Sequence, residues 1–193
     1  MLLVRPVLLA VLSAAGLGCA ARQAATPQVM PVDAALRRAS LSQLGAQLFE
    51  GLRSGKLDQS FASMRELDEI VVPSARLRLD RDRTSSIERG SSSLDLFRRD
   101  WGAASYVGFC AQGAREEAAG TSLGLTQRGW VLDRILVVAR TDDHGLRSAS
   151  WLEGEFVYTQ QGWRALSFHR IETPRRHHAD LELAPCDVEA GLR

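Results

Sequence analysis

The chain has 193 residues, 45% of them hydrophobic and 24% charged, with a formal net charge of +1. That length suits one domain with its own core plus a processed leader, and the composition excludes a mainly disordered chain. Lys56 is the only lysine among 24 basic residues, and the arginines alternate with acids instead of clustering, which argues against nucleic acid as a partner.

Met1 to Ala20 reads as a targeting segment. Arg5 gives a positive start, and Val7 to Leu17 is an apolar run of 11 residues. A bilayer span takes ~20 residues, so this run suits a signal-peptide core instead. It ends in Gly16-Leu17-Gly18-Cys19-Ala20. This ending resembles the bacterial lipoprotein signal, in which small residues precede a cysteine that is lipidated and becomes the mature N-terminus. That motif usually has leucine three residues before the cysteine, where this chain has Gly16. The resemblance implies a signal peptide over residues 1–18, a lipid on Cys19 that makes the membrane a partner, and a place in the bacterial cell envelope facing the periplasm. The alternative is an ordinary secretory signal cut after Ala20, which would release the chain into the periplasm.

Three cysteines are present: Cys19, Cys110 and Cys186. Lipid on Cys19 would leave Cys110 and Cys186 as an even pair, which an oxidising compartment would join as a disulfide. The alternative is two separate buried thiols. The spacing is not that of a metal site, and neither metal nor cofactor is expected.

Residues 19–32 read as a tether and 33–193 as one domain. Ser40-Leu41-Ser42-Gln43 fits a capping box, and Leu44, Leu48 and Leu52 repeat every four residues. Gly55 stands where a C-terminal cap belongs, and a helical lead-in from Asp33 would extend this first helix. Leu57, Phe61, Met64 and Leu67 mark a second, shorter helix. Ile70 to Val72 and Ala75 to Leu79 read as strand around Pro73, and Asp80 to Gly90 as a surface loop. A third helix is expected from Ser92 to Trp101, capped by Ser92 with Asp95 and ended by Gly102. Tyr106 to Gln112 reads as strand. Gly113 to Gly129 carries four glycines and reads as a long loop or as a bent strand.

Three further strands follow, Trp130 to Arg140, Ser148 to Thr159 and Trp163 to Glu172, rich in β-branched and aromatic residues. Asp142-Asp-His-Gly145 and Gln160-Gln-Gly162 separate them, so they form an antiparallel meander. A hairpin closed by Gly162 pairs Thr159 with Trp163. Counting back, Phe156 faces Leu166, Gly154 faces Phe168, Glu155 faces Ser167, Glu153 faces His169 and Trp151 faces Ile171. This register gathers Leu152, Phe156, Leu166 and Phe168 on one face. The tail from Pro174 carries Arg175-Arg-His-His178 and a short last strand over Asp180 to Leu183.

Two helices, a strand, a third helix and then antiparallel strands is the element order of the NTF2-like superfamily, which includes the SnoaL-like proteins. The ending Phe156-Val-Tyr-Thr-Gln-Gln-Gly162-Trp163 through His169 is similar to that family's last hairpin, where a Gly-Trp pair often opens the final strand. The resemblance covers about Ser40 to Glu172. It implies an α+β fold, a curved antiparallel sheet packed on about three helices as a cone with an apolar pocket.

Candidate chemistry centres on Glu153 and His169, a carboxylate beside an imidazole on one sheet face, the arrangement general acid–base catalysis uses. The plainer alternative is a solvated cross-strand pair. Asp133, expected on a face with Ile135 and Val137, is either a pocket acid or the partner of Arg134 or Arg164. His144 fits turn chemistry better than a metal site, and His177 with His178 fits an exposed tail. No nucleophile elbow, phosphate loop or dinucleotide fingerprint occurs. Three functions are compatible: an envelope domain that binds a small apolar ligand or a protein without catalysis, an isomerase or dehydratase using His169 with Glu153, or Asp133, as acid and base, or an assembly lipoprotein docking through its sheet face.

Overall fold

The computed structural model of the protein describes residues 34–141 and 146–177. The expected signal peptide, Cys19 and tether lie outside these residues, as do His144, His178, the last strand and Cys186.

Helix α1 runs Ala34–Ser54, so its start lies upstream of the capping box expected at Ser40. The Ser40 hydroxyl instead accepts a hydrogen bond from the Trp163 amide at 2.8 Å. Gly55 ends the helix with φ 72, and the Lys56 amide reaches back to the Gly51 carbonyl. The expected second helix is two pieces, a 3-10 turn over Leu57–Ser60 and α2 over Met64–Ile70. Between them Phe61 and Ala62 are pulled out to meet the sheet.

The strand expected at residues 75–79, the loop at 80–90 and the helix from Ser92 are one helix, α3, over Pro73–Trp101. Pro73 sits at its first turn, where a missing amide costs nothing and the fixed φ favours helix. The alternation Ala75-Arg-Leu-Arg-Leu79 misleads because Leu77 is simply exposed, at 73%, while Leu79 is fully buried. Ala75, Leu79, Ser86, Leu94, Phe97 and Trp101 follow the helical period instead. Among the described residues no helix is long and apolar enough to cross a membrane.

The sheet contains β1 (Ser105–Gln112), β2 (Arg115–Glu117), β3 (Gly129–Arg140), β4 (Arg147–Thr159), β5 (Gly162–Ile171) and β6 (Arg175–His177), and every pairing between them is antiparallel. The order is β1-β3-β4-β5, with β2 also on β3 and β6 also on β4. Each outer strand is therefore broken in two, flanking the continuous pair β3 and β4. The fold class is α+β with an open sheet. Residues 113–129 are mostly loop, holding short β2 and the buried Leu123 and Leu125.

Helices cover both faces of the sheet. On the inner face, α1 and the end of α3 pack Leu44, Leu48, Phe97 and Trp101 against Ile135, Leu152, Phe156 and Trp163. On the outer face, α2, the start of α3 and the loop bury Leu67, Leu79 and Leu125 against Val131, Val157 and Leu166. Helix α3 thus passes across the free edge of β5. There the Phe168 amide donates to the Ser86 hydroxyl, which donates to the Phe168 carbonyl, and the Ala62 amide donates to the Ala165 carbonyl at 2.9 Å. These contacts close an edge that would otherwise invite pairing with another chain.

The β4–β5 register departs from expectation. Thr159 faces Gly162 and Tyr158 faces Trp163, while Gly154–Phe168 and Glu155–Ser167 stand as expected. Bulges at Leu166 and His169 absorb the difference, each placing one extra residue on β5. Leu166 consequently turns to the outer core instead of joining Leu152, Phe156 and Phe168. Ile171 faces Leu152 rather than Trp151, and Glu153 faces Arg170 rather than His169.

Phe168 is buried, with edge-on ring contacts to Phe61 at 5.0 Å and Phe156 at 5.8 Å. Phe168→Ala is expected to cost ~3–5 kcal/mol in urea unfolding, and Leu166→Ala ~2–5 kcal/mol despite pointing the opposite way. A cost below ~1 kcal/mol for Leu166→Ala would contradict the bulged register.

Candidate functional site

Midway along the outer face a polar row crosses the sheet. Gln112 on β1 lies opposite Arg134 on β3, Arg134 opposite Glu153 on β4, and Glu153 opposite Arg170 on β5. The Arg134 guanidinium stands 4.8 Å over the Trp151 ring, a cation–π contact. Next to this row Glu155 accepts from the Ser167 hydroxyl at 3.0 Å and from Arg78 at 3.3 Å. Arg170 pairs with Glu172 at 3.2 Å. Two guanidinium groups flank Glu153 in this row, with the half-buried Trp151 indole beside them, groups able to meet a carboxylate or an aromatic side chain.

The three residues expected to do chemistry do not meet. Asp133 lies opposite a bulge in β4, where Gly154 and Glu155 both fall between the pairs Leu132–Phe156 and Arg134–Glu153. It is therefore exposed instead of sharing the buried face of Ile135 and Val137. Its partner is Arg115 on β2, at 2.5 Å, and not Arg134 or Arg164. The hydrogen bond to Asp133 is the main cause holding the Arg115 pKa above its ordinary value, with the Asp133 and Glu117 charges adding to it. Glu153 lies on β4 between two arginines, and His169 is exposed at its bulge on β5, with β4 between it and Asp133. Among the described residues no group of three or more His, Cys, Asp or Glu side chains is placed to hold a metal ion.

Polar groups inside the domain serve other ends. Glu66 is buried and completes a capping box with Ser63, its carboxylate also meeting Arg164 and Thr159 at 3.3 Å each. The Trp101 indole donates to Ser148, and the Trp163 indole to the Arg37 carbonyl. Arg37 itself lies 4.3 Å over the Trp130 ring. The Tyr106 hydroxyl is buried without a hydrogen-bond partner, and burial pushes its pKa to about 12. It is wedged against α1 at Gly45, where an added Cβ would lie 2.6 Å from that hydroxyl.

Several of these residues carry no local signal of their role. Ser63-x-x-Glu66 is a capping box legible in the sequence, but Ser86 and Arg115 act on strands, and Arg164 on helix α2, at a distance in the chain. Comparison with models of known protein families, with curated proteins and with solved structures finds no match.

The Asp133–Arg115 pair is exposed, so Asp133→Asn is expected to cost ~0.2–1 kcal/mol, and less in high salt. His169→Ala should stay within ~0.5 kcal/mol in the same urea melts. Tyr106→Phe removes a buried hydroxyl that has no partner and should leave stability unchanged or raise it at neutral pH. Because the folded pKa is raised, the folded state holds the Tyr106 proton longer. Its contribution is present in full below the unfolded pKa near 10 and is lost as pH rises toward about 12. Melts between pH 9 and about 12 should show a steeper loss for the native chain than for Tyr106→Phe.

Proposed function

We propose that the chain is a lipid-anchored protein of the bacterial cell envelope, facing the periplasm, whose domain is a variant of the NTF2-like cone that binds without catalysis. The observation that carries this reading is Gly16-Leu17-Gly18-Cys19 at the end of an 11-residue apolar run, followed by a polar stretch and then α1. Helices that precede an antiparallel sheet, with α1 and the end of α3 on its inner face, support the cone. Bulges in β4 and β5 are the device by which such sheets curve. Helix where the family order has a strand, at residues 73–79, is this chain's departure from that pattern.

Binding without catalysis is supported by the placement of Asp133, Glu153 and His169 on three different strands. Trp101, Trp163, Phe97 and Phe156 fill the inner face, which favours a protein partner outside the domain over a small apolar ligand within it. Trp151 with Arg134 and Arg170 provides the aromatic and guanidinium groups that anchor protein interfaces.

The anchor is tested on native protein extracted from membranes. Its intact mass should show a diacylglyceryl adduct at Cys19, and Cys19→Ser should move the protein to the soluble fraction. An unmodified chain beginning at Ala21 would refute the anchor.

A further inference from the structure

Beyond the Arg134 row, a second stretch of the outer face is apolar and closed off from water. Cys110, Leu136, Val138 and Ala149 are each at most 8% exposed, with Trp151 half-buried against them. No residue of α1, α2 or α3 belongs to this group, because the helices pack on the other two cores. Apolar residues on a sheet face need a cover to be shut off from solvent. We propose that residues 178–193 supply it, as a strap pinned to the sheet by a disulfide between Cys186 and Cys110.

The sheet delivers the chain to the right place. His177 ends β6 opposite Arg147, which lies opposite Arg140, which lies opposite Ser105. Cys110 lies opposite Leu136, four residues back along β3 from Arg140. Four residues are ~13 Å and three strand spacings ~14 Å, so the diagonal from His177 to Cys110 is about 20 Å. Cys186 stands nine residues along the chain from His177. Extended, they reach ~30 Å.

The composition of the strap fits the surface beneath it. Leu181 and Leu183 alternate with Asp180 and Glu182, so one side of an extended chain is apolar and the other acidic. The leucine side matches the apolar Leu136, Val138 and Ala149. The Cys110 sulfur is not a free thiol. Bond formation passes two electrons and two protons from the two thiols to a disulfide oxidant, which leaves as a dithiol. In the cell this step needs an oxidising compartment, and in that respect it rests on the export proposed above.

Treating the full chain with oxidised glutathione tests the pairing whether or not the chain is exported. Non-reducing peptide mapping should return a peptide joining Cys110 to Cys186. Cys110 joined to Cys19, or held only as a glutathione adduct, would overturn the strap. In the oxidised full chain, adding a reductant should speed amide exchange around Cys110 and Leu136 by roughly tenfold or more while α1 exchanges as before. Shortening the chain to end at His177 should do the same. Exchange unchanged by the reductant would overturn the strap even if the shortened chain does not fold.

Discussion

The Ser86 hydroxyl bonds to both the amide and the carbonyl of Phe168, and this fixes α3 against the free edge of β5. A helix held there has to leave its two ends on opposite faces of the sheet. Its first turns join α2 and the loop around Leu125 on the outer face, and its last turns bring Phe97 and Trp101 under α1 on the inner face. Both cores therefore depend on one crossing point. Trp163 is the second tie, since its amide and its indole both donate to α1. Two hydrogen bonds from one residue hold α1 in line with β5, and Gly45 lets that helix lie close to β1.

The sheet was more legible in the sequence than the helices. Strands β3, β4 and β5 were bounded to within one residue because β-branched and aromatic runs alternate with turn formers there. Helix α3 was hidden because a short apolar alternation mimics a strand when one leucine is left in water, and because proline reads as a break until its place in the first turn is known. The bulges were invisible for a different reason. An extra residue in one strand alters no local preference, and only the packing of Leu166 against Val157 shows it. Irregular pairing also explains why these residues stand away from their expected places, since Asp133 lies opposite the bulge in β4 and His169 forms one of those in β5.

Electrostatics on the outer face follow a simple pattern. Carboxylates there are placed against guanidinium groups: Asp133 with Arg115, Glu155 with Arg78, Glu172 with Arg170, and Glu66 with Arg164. Such pairs orient side chains and define a surface. In a chain with almost no lysine, planar guanidinium groups also give that surface directional recognition that ammonium groups would lack.

The paired bulges in β5 behave like compensating frameshifts. Side chains alternate in a strand, so one extra residue inverts every position after it, and a second restores them. Trp163 and Ile171, at the two ends of β5, face the inner core because the strand carries two such insertions and not one. Loss of Leu166 alone would leave the chain between the two sites in regular pairing with β4 but would turn one end of the strand inside out. Loss of both bulged residues would keep the two ends in phase. Length variation in this strand is therefore tolerable in steps of two, which is a constraint on how its sequence can change and not on how stable it is.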